Sequence, residues 1–147
     1  MRYAHTNIIA YDWKKLVSFY TDVFKCSLKP PVRDQSGEWL AKGTGVANAA
    51  LQGAHLLLPG HGENGPTLEI YQYSEVLDQP KLKPNHRGLG HLAFEVDNVH
   101  EVLRKMVQHG GASHGDIIEK EVPGVGWLTF TYARDPEGNL IELQSWK

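Results

Sequence analysis

An internal repeat constrains the fold of this chain more than any other feature of its sequence. Shifting the chain by 86 residues places His5 on His91, and in both places a strand-like segment leads into a helix-like one. A second match sets "TLEIY" beside "LIELQ" and places Glu69 on Glu142. His5 and Glu69 are 64 positions apart in the first half, and His91 and Glu142 are 51 positions apart in the second. Longer loops in the first half account for the difference. Two similar modules are therefore expected.

The helices and strands of each module follow from hydrophobic spacing and turn residues. Asp12 and Asn98 are typical N-caps, and apolar residues follow each of them at helical spacing, over 13–24 and 99–107. The segment 36–45 is predicted to be a short helix. Alternation and Gly/Pro turns predict strands at 3–11, 54–58, 67–73, 90–96, 117–122, 127–133 and 139–146.

These elements predict one domain over residues 1–147, made of module 1 (about 1–75) and module 2 (about 86–147). The segment 74–87 between them contains two prolines and has no strong periodicity, which is typical of a linker. A chain of 147 residues is long enough to bury a core without disulfides or structural metals.

Composition narrows the function classes. The chain carries 15 Lys and Arg against 17 Asp and Glu, and no basic run, so it lacks the footprint of a nucleic-acid-binding protein. Its apolar runs are too short to cross a bilayer, which predicts no membrane partner. Its one cysteine, Cys26, fits a reducing compartment. A cytoplasmic protein is expected.

Strand alternation places the four repeated polar residues on one kind of surface. Neighbouring residues of a strand point to opposite faces, and in each strand the aliphatic residues beside these four are suited to pack under the helix. His5, Glu69, His91 and Glu142 are therefore expected on the face that the helices leave uncovered. Two imidazoles and two carboxylates suit a divalent metal such as Zn, Ni, Co, Mn or Fe, with room left for a substrate oxygen.

The remaining histidines lack this repeated placement. They lie in loops, on polar helix faces or at element ends, and are predicted to be surface residues. They are His55, His61, His86, His100, His109 and His114.

Four segments of the chain resemble the vicinal oxygen chelate superfamily, which includes glyoxalase I, methylmalonyl-CoA epimerase, extradiol dioxygenases and antibiotic resistance proteins. They are "HTNIIAYDWKKLVSFYTDVF", "LEIYQY", "GHLAFEVDNV" and "DPEGNLIEL". The resemblance implies an α+β fold in which two βαβββ modules form a cupped mixed sheet around a metal site. It implies metal ligation by His5, Glu69, His91 and Glu142, and it implies a homodimer.

Within the superfamily, the order His, Glu, His, Glu is similar to that of glyoxalase I. The resemblance then implies a divalent-metal-dependent lyase or isomerase of the lactoylglutathione lyase type, with Zn, Ni, Co or Mn favoured over Fe. Proton abstraction beside a metal-bound carbonyl or hemithioacetal would fall to Glu142 or Glu69. An epimerase related to methylmalonyl-CoA epimerase is the alternative. An iron-dependent extradiol dioxygenase is disfavoured by Glu69, and a binding protein without catalysis by the intact ligand set.

Some positions depart from the glyoxalase I pattern. Ile9 stands where an arginine would hold glutathione, and Tyr73 stands where an asparagine would. The substrate is therefore left open. An epimerase needs a second acid or base from the first module, for which Glu38 is the candidate. Weaker candidates are Trp39, Trp127, Tyr71 and Tyr73 as pocket lining and Arg2, Lys83 and Arg87 as contacts for an anionic tail.

Overall fold

The computed structural model describes residues 1–147 and divides into two compact units, Met1–Asp78 and Gln79–Lys147. The division falls inside the segment 74–87 that was expected to be a linker. The predicted α+β class is confirmed: one sheet has four strands, the other has five, and three helices accompany them. None of these helices has the length and apolar character needed to cross a membrane.

The first unit contains a four-stranded sheet in the order β1-β4-β3-β2. Strand β1 runs parallel to β4, and the other neighbours are antiparallel. Its elements are β1 (His5–Ile9), α1 (Trp13–Phe24), β2 (Ser27–Ser36), α2 (Glu38–Thr44), β3 (Ala50–Leu57) and β4 (Thr67–Tyr73).

The second unit repeats this arrangement. Its path is β5-β9-β8-β6, with β7 also paired to β8, and again the first strand runs parallel to the last strand of the unit. Its elements are β5 (Leu92–Glu95), α3 (Val99–Gln108), β6 (Ala112–Ser113), β7 (Ile118–Val122), β8 (Gly126–Arg134) and β9 (Leu140–Trp146).

Both main helices begin at the caps predicted from the sequence. The side chain of Asp12 accepts a hydrogen bond from the Lys15 N–H at 3.0 Å, and that of Asn98 accepts one from the Glu101 N–H at 3.1 Å. Each cap satisfies an N–H that a helix leaves without a partner in its first turn. Helix α1 packs against β3 and β4, and α3 packs against β9, β8 and β6.

Each helix covers one face of its sheet. In the first unit Leu16 and Tyr20 of α1 and Ile70 of β4 are fully buried, and in the second unit Met106 of α3 and Ile141 of β9 are. Burial of one such side chain contributes about 1.5–3 kcal/mol. The strand residues between these aliphatic ones point to the opposite face, which is called the open face below.

Strand β2 was not predicted. Pro30 and Pro31 interrupt its alternation, and most of its side chains are exposed. Proline cannot donate to a ladder and is tolerated on an edge strand, the position that β2 occupies. Its pairing with β3 breaks between Lys29 and Arg33, where the two prolines lie. The two-residue strand β6 was also not predicted.

The buried thiol of Cys26 gives a test of the first unit. Its residue is only 4% exposed, and burial raises the pKa of the thiol to about 11. The thiolate is the reactive form of cysteine. At pH 8 the Cys26 thiol of native protein should therefore react with a disulfide reagent at least about a hundredfold more slowly than an exposed thiol does. The rate should rise about tenfold per pH unit until the pKa is reached. Urea-unfolded chain should react at once, and equally fast labelling of native chain would contradict this packing.

Candidate functional site

In the first unit, His5 and Glu69 lie together. His5 is exposed at the start of β1, and Glu69 of the neighbouring strand β4 is buried to 7% exposure. The Nδ1 atom of His5 lies 3.3 Å from Oε1 of Glu69. Leu68 and Ile70, which flank Glu69, are buried on the helix side, so alternation turns the carboxylate to the open face as predicted.

In the second unit, His91 and Glu142 form the equivalent pair. Nε2 of His91 lies 3.1 Å from Oε2 of Glu142, and both side chains are partly buried. Tyr132 contacts both residues: its ring meets the His91 ring edge-on at 5.1 Å, and it hydrogen-bonds Glu142. Burial, followed by this hydrogen bond and the carboxylate charge, raises the pKa of Tyr132, so its hydroxyl stays protonated and donates.

His55 was predicted to be a surface residue, and that prediction is wrong. Its side chain is only 18% exposed, and Nε2 lies 3.2 Å from Oε1 of Glu69 and 2.6 Å from the hydroxyl of Tyr71. Burial lowers the pKa of His55, although the charge of Glu69 opposes that shift. At neutral pH the imidazole is therefore uncharged, and Glu69 is contacted by two histidines.

Sequence reasoning missed His55 because the strand register was not used. In the hairpin of β3 and β4, His55 lies directly opposite Glu69. In the second unit, Tyr132 lies directly opposite Glu142. Counting outward from the turn between two predicted antiparallel strands would have found both partners.

The two pairs have the donor set and the spacing of metal ligands. Two ligands on a tetrahedral Zn at about 2.0–2.1 Å are separated by roughly 3.4 Å, close to the distances seen in both pairs. Each pair offers one imidazole nitrogen and one carboxylate oxygen, which are ligand types found in catalytic metal sites. No group of three or more His, Cys, Asp or Glu side chains in the structure is arranged to hold a metal ion by itself.

Other sequence candidates lie elsewhere. Glu38 is exposed on α2 and pairs with Lys42 at 2.6 Å, one helical turn away. Arg2 donates a hydrogen bond to the Asn64 carbonyl at 2.8 Å and is exposed. The histidines other than His55 that were predicted to be exposed are exposed: His61, His86, His100, His109 and His114.

A hydrogen-bonded turn leads into β9, the strand that carries Glu142. Asp135 is buried, and its carboxylate accepts hydrogen bonds from the N–H groups of Glu137 at 3.0 Å and Asn139 at 2.9 Å. The buried Arg134 donates to the carbonyls of Gly138 and Leu82, both at 2.6 Å. This is the "DPEG" turn that the sequence indicated.

Comparison with known proteins agrees with this architecture. The profile of the Glyoxalase/Bleomycin resistance protein/Dioxygenase superfamily matches residues 2–143. The uncharacterized protein YaeR of Escherichia coli is 27% identical over 95% of this chain and 92% of its own. A glyoxalase family protein of Bacillus cereus superposes with a TM-score of 0.85 at 20% identity, over 99% of this chain and 94% of its own. The fosfomycin resistance protein FosX of Listeria monocytogenes, solved with Mn(II) and sulfate, gives 0.55 at 15% identity over 100% and 93%.

The Asp135 turn provides a stability test. Asp135→Ala leaves the partly buried N–H groups of Glu137 and Asn139 without their acceptor, which should lower the free energy of unfolding by about 1–3 kcal/mol. Urea denaturation measures this change. Asp116→Ala is the matched control, because Asp116 is exposed, and it should change stability by no more than about 0.5 kcal/mol. Equal effects of the two substitutions would show that the turn is not held by Asp135.

Proposed function

Because the chain belongs to the Glyoxalase/Bleomycin resistance protein/Dioxygenase superfamily, we propose that it is a divalent-metal-dependent lyase or isomerase of the glyoxalase type. The reaction moves a proton on a carbon next to a carbonyl or hemithioacetal group of a small molecule. The observation that carries the proposal is the His–Glu pair on the open face of each unit, at 3.3 Å and 3.1 Å. His5, Glu69, His91 and Glu142 are the proposed ligands, with Zn, Ni, Co or Mn as the metal.

The chemistry of these residues fits such an ion. Neutral imidazole nitrogen and carboxylate oxygen are borderline ligands that bind all four metals. A bound divalent ion supplies Lewis acidity to the oxygen beside the reacting carbon. FosX, which has a similar fold, was solved in complex with Mn(II).

The two carboxylates are suited to different tasks. Glu69 is 7% exposed, and both His5 and His55 lie within 3.3 Å of its Oε1, so it is held in one position. Glu142 has an 18% exposed side chain and a hydrogen bond from Tyr132, and it lies at a more open position. We therefore propose Glu142 as the base that takes the substrate proton, with Glu69 the second candidate.

The destination of the proton separates the two catalytic alternatives. If Glu142 returns it to the neighbouring carbon, the reaction is a glyoxalase-type isomerisation. If the proton returns to the opposite face of the same carbon, the reaction is that of an acyl-CoA epimerase. Assays with the methylglyoxal–glutathione hemithioacetal and with methylmalonyl-CoA in D2O distinguish them, because both also report deuterium incorporation.

Metal content is the first test. Wild-type protein should bind a divalent ion. Loss of a residue that only hydrogen-bonds a metal ligand usually weakens metal binding by about 10–100-fold, so His91→Ala, which removes a ligand, should weaken it further. His100→Ala, which removes an exposed histidine of the same unit, is the control and should bind as wild type does. Elemental analysis and competition with a chelating dye measure both. Iron in place of the other metals would favour a dioxygenase. If wild-type protein binds no metal, the catalytic proposal falls and a protein that binds a small molecule without catalysis remains.

The roles of the carboxylates give a second test. At matched metal occupancy, Glu142→Gln should lower turnover by about 10²–10⁴, the usual contribution of a general base. Glu69→Gln should act mainly on metal affinity, since Glu69 is proposed as a fixed ligand. Turnover and occupancy are measured on the same preparations. A larger turnover loss in Glu69→Gln at equal occupancy would reverse the assignment.

The proposal also includes a homodimer and one ion held by His5, Glu69, His91 and Glu142. Mixing His5→Ala with His91→Ala protein tests whether the four ligands come from one chain or from two. Sites shared between chains regain one intact ligand set in the mixed dimer, whereas sites within one chain do not. Elemental analysis after subunit exchange is the measurement.

A further inference from the structure

The open face of the first unit is organised in cross-strand rows. Directly opposed residues of neighbouring strands lie on the same face, so the register defines which side chains meet. One row runs across the sheet through Lys29, His55, Glu69 and Asn7. The adjacent row, called the Arg33 row below, consists of Arg33, Gly53, Tyr71 and Ile9.

Gly53 makes room for the ring of Tyr71 in the Arg33 row. A Cβ atom at position 53 would lie 2.4 Å from Cδ1 of Tyr71 and 2.1 Å from the carbonyl oxygen of Ile70. The ring therefore lies against the backbone of β3, where only glycine permits it. Its hydroxyl is fixed by Nε2 of His55 at 2.6 Å.

Arg33 lies beyond Gly53 in the same row and has no acidic partner. Its side chain is half-buried and donates hydrogen bonds to the Pro31 carbonyl, at 2.5 Å from a terminal nitrogen, and to the hydroxyl of Tyr71. Neither Arg33 nor the half-buried Lys29 of the neighbouring row belongs to the ion pairs described above. A guanidinium has five N–H donors in a planar fork, so most of those of Arg33 are left for another acceptor.

The strand register places Arg33 and Tyr71 in one row on the same face, and Arg33 hydrogen-bonds the Tyr71 hydroxyl. Arg33 and the Tyr71 hydroxyl therefore face a common space next to Glu69. A guanidinium that is partly withdrawn from water gains from an anionic partner, and the planar fork of arginine matches a carboxylate in two-point contact.

We propose that Arg33 and the hydroxyl of Tyr71 form a subsite that binds the carboxylate of the small-molecule substrate, beside the ligand pair His5 and Glu69. The inference rests on the proposed function, because it names the class of substrate that the site accepts. It also gives the site a source of anion recognition that does not use Ile9 or Tyr73. Arg2, Lys83 and Arg87 are not needed for it.

The test compares two ligands of one shape and different charge. Lactate carries a carboxylate, and lactamide has a neutral amide in its place. Both are titrated into the full chain and followed by two-dimensional amide NMR, once without metal and once with zinc supplied. Wild type should bind lactate about tenfold or more tightly than lactamide, the usual worth of a hydrogen bond to a charged group.

Four variants locate the preference. Arg33→Gln should abolish the preference for lactate, Arg33→Lys should keep part of it because the charge remains without the fork, and Tyr71→Phe should reduce it. Arg104→Gln, which removes an exposed arginine of α3, is the control with the same change of charge and should leave it intact. A thermal melt of each variant checks that the fold is retained.

The outcomes separate this inference from the proposed function. Lactate binding by Arg33→Gln equal to that of wild type, or equal binding of lactate and lactamide by wild type, overturns the subsite. If zinc does not bind, the metal-dependent function falls, whereas the lactate comparison on metal-free protein still decides the subsite. Binding that is lost in Arg33→Gln with and without zinc supports it.

Discussion

Two glutamates, each placed between buried aliphatic neighbours on a strand, determine where the other groups of the candidate site lie. Leu68 and Ile70 pack under α1, so the carboxylate of Glu69 has to point away from that helix. Ile141 and Leu143 do the same for Glu142 in the second unit. Because each glutamate strand lies next to the first strand of its unit, a histidine at the start of that strand (His5) or directly before it (His91) comes within reach.

The pairs differ in what lies across the next strand. Glu69 faces His55, an uncharged imidazole at neutral pH, whereas Glu142 faces Tyr132, a protonated phenol. A duplicated architecture has thus given its two carboxylates different hydrogen-bond partners. This is the physical basis on which a holding role and a proton-transfer role can be divided between otherwise equivalent residues.

Much of this arrangement could be predicted from the sequence, because it depends on local patterns. The N-caps Asp12 and Asn98, the helical spacing after each of them and the alternation around Glu69 are all short-range signals. Strand β2 could not be predicted in this way, since Pro30 and Pro31 break its pattern and its pairing with β3 supplies what local propensity lacks. His55 was missed for a related reason: its importance comes from its opposite neighbour, and pairing between strands is not a local property.

Gly53 shows how a residue without any polar group can fix the spacing of polar groups on a sheet face. The ring of Tyr71 occupies the space of the missing side chain, and its hydroxyl contacts both His55 and Arg33. A methyl group at position 53 would meet the Ile70 carbonyl oxygen as well as the ring, so β4 and the ring would both have to shift although no charge is added or removed. The distances between charged groups on the open face therefore depend on a steric constraint in the backbone layer beneath them.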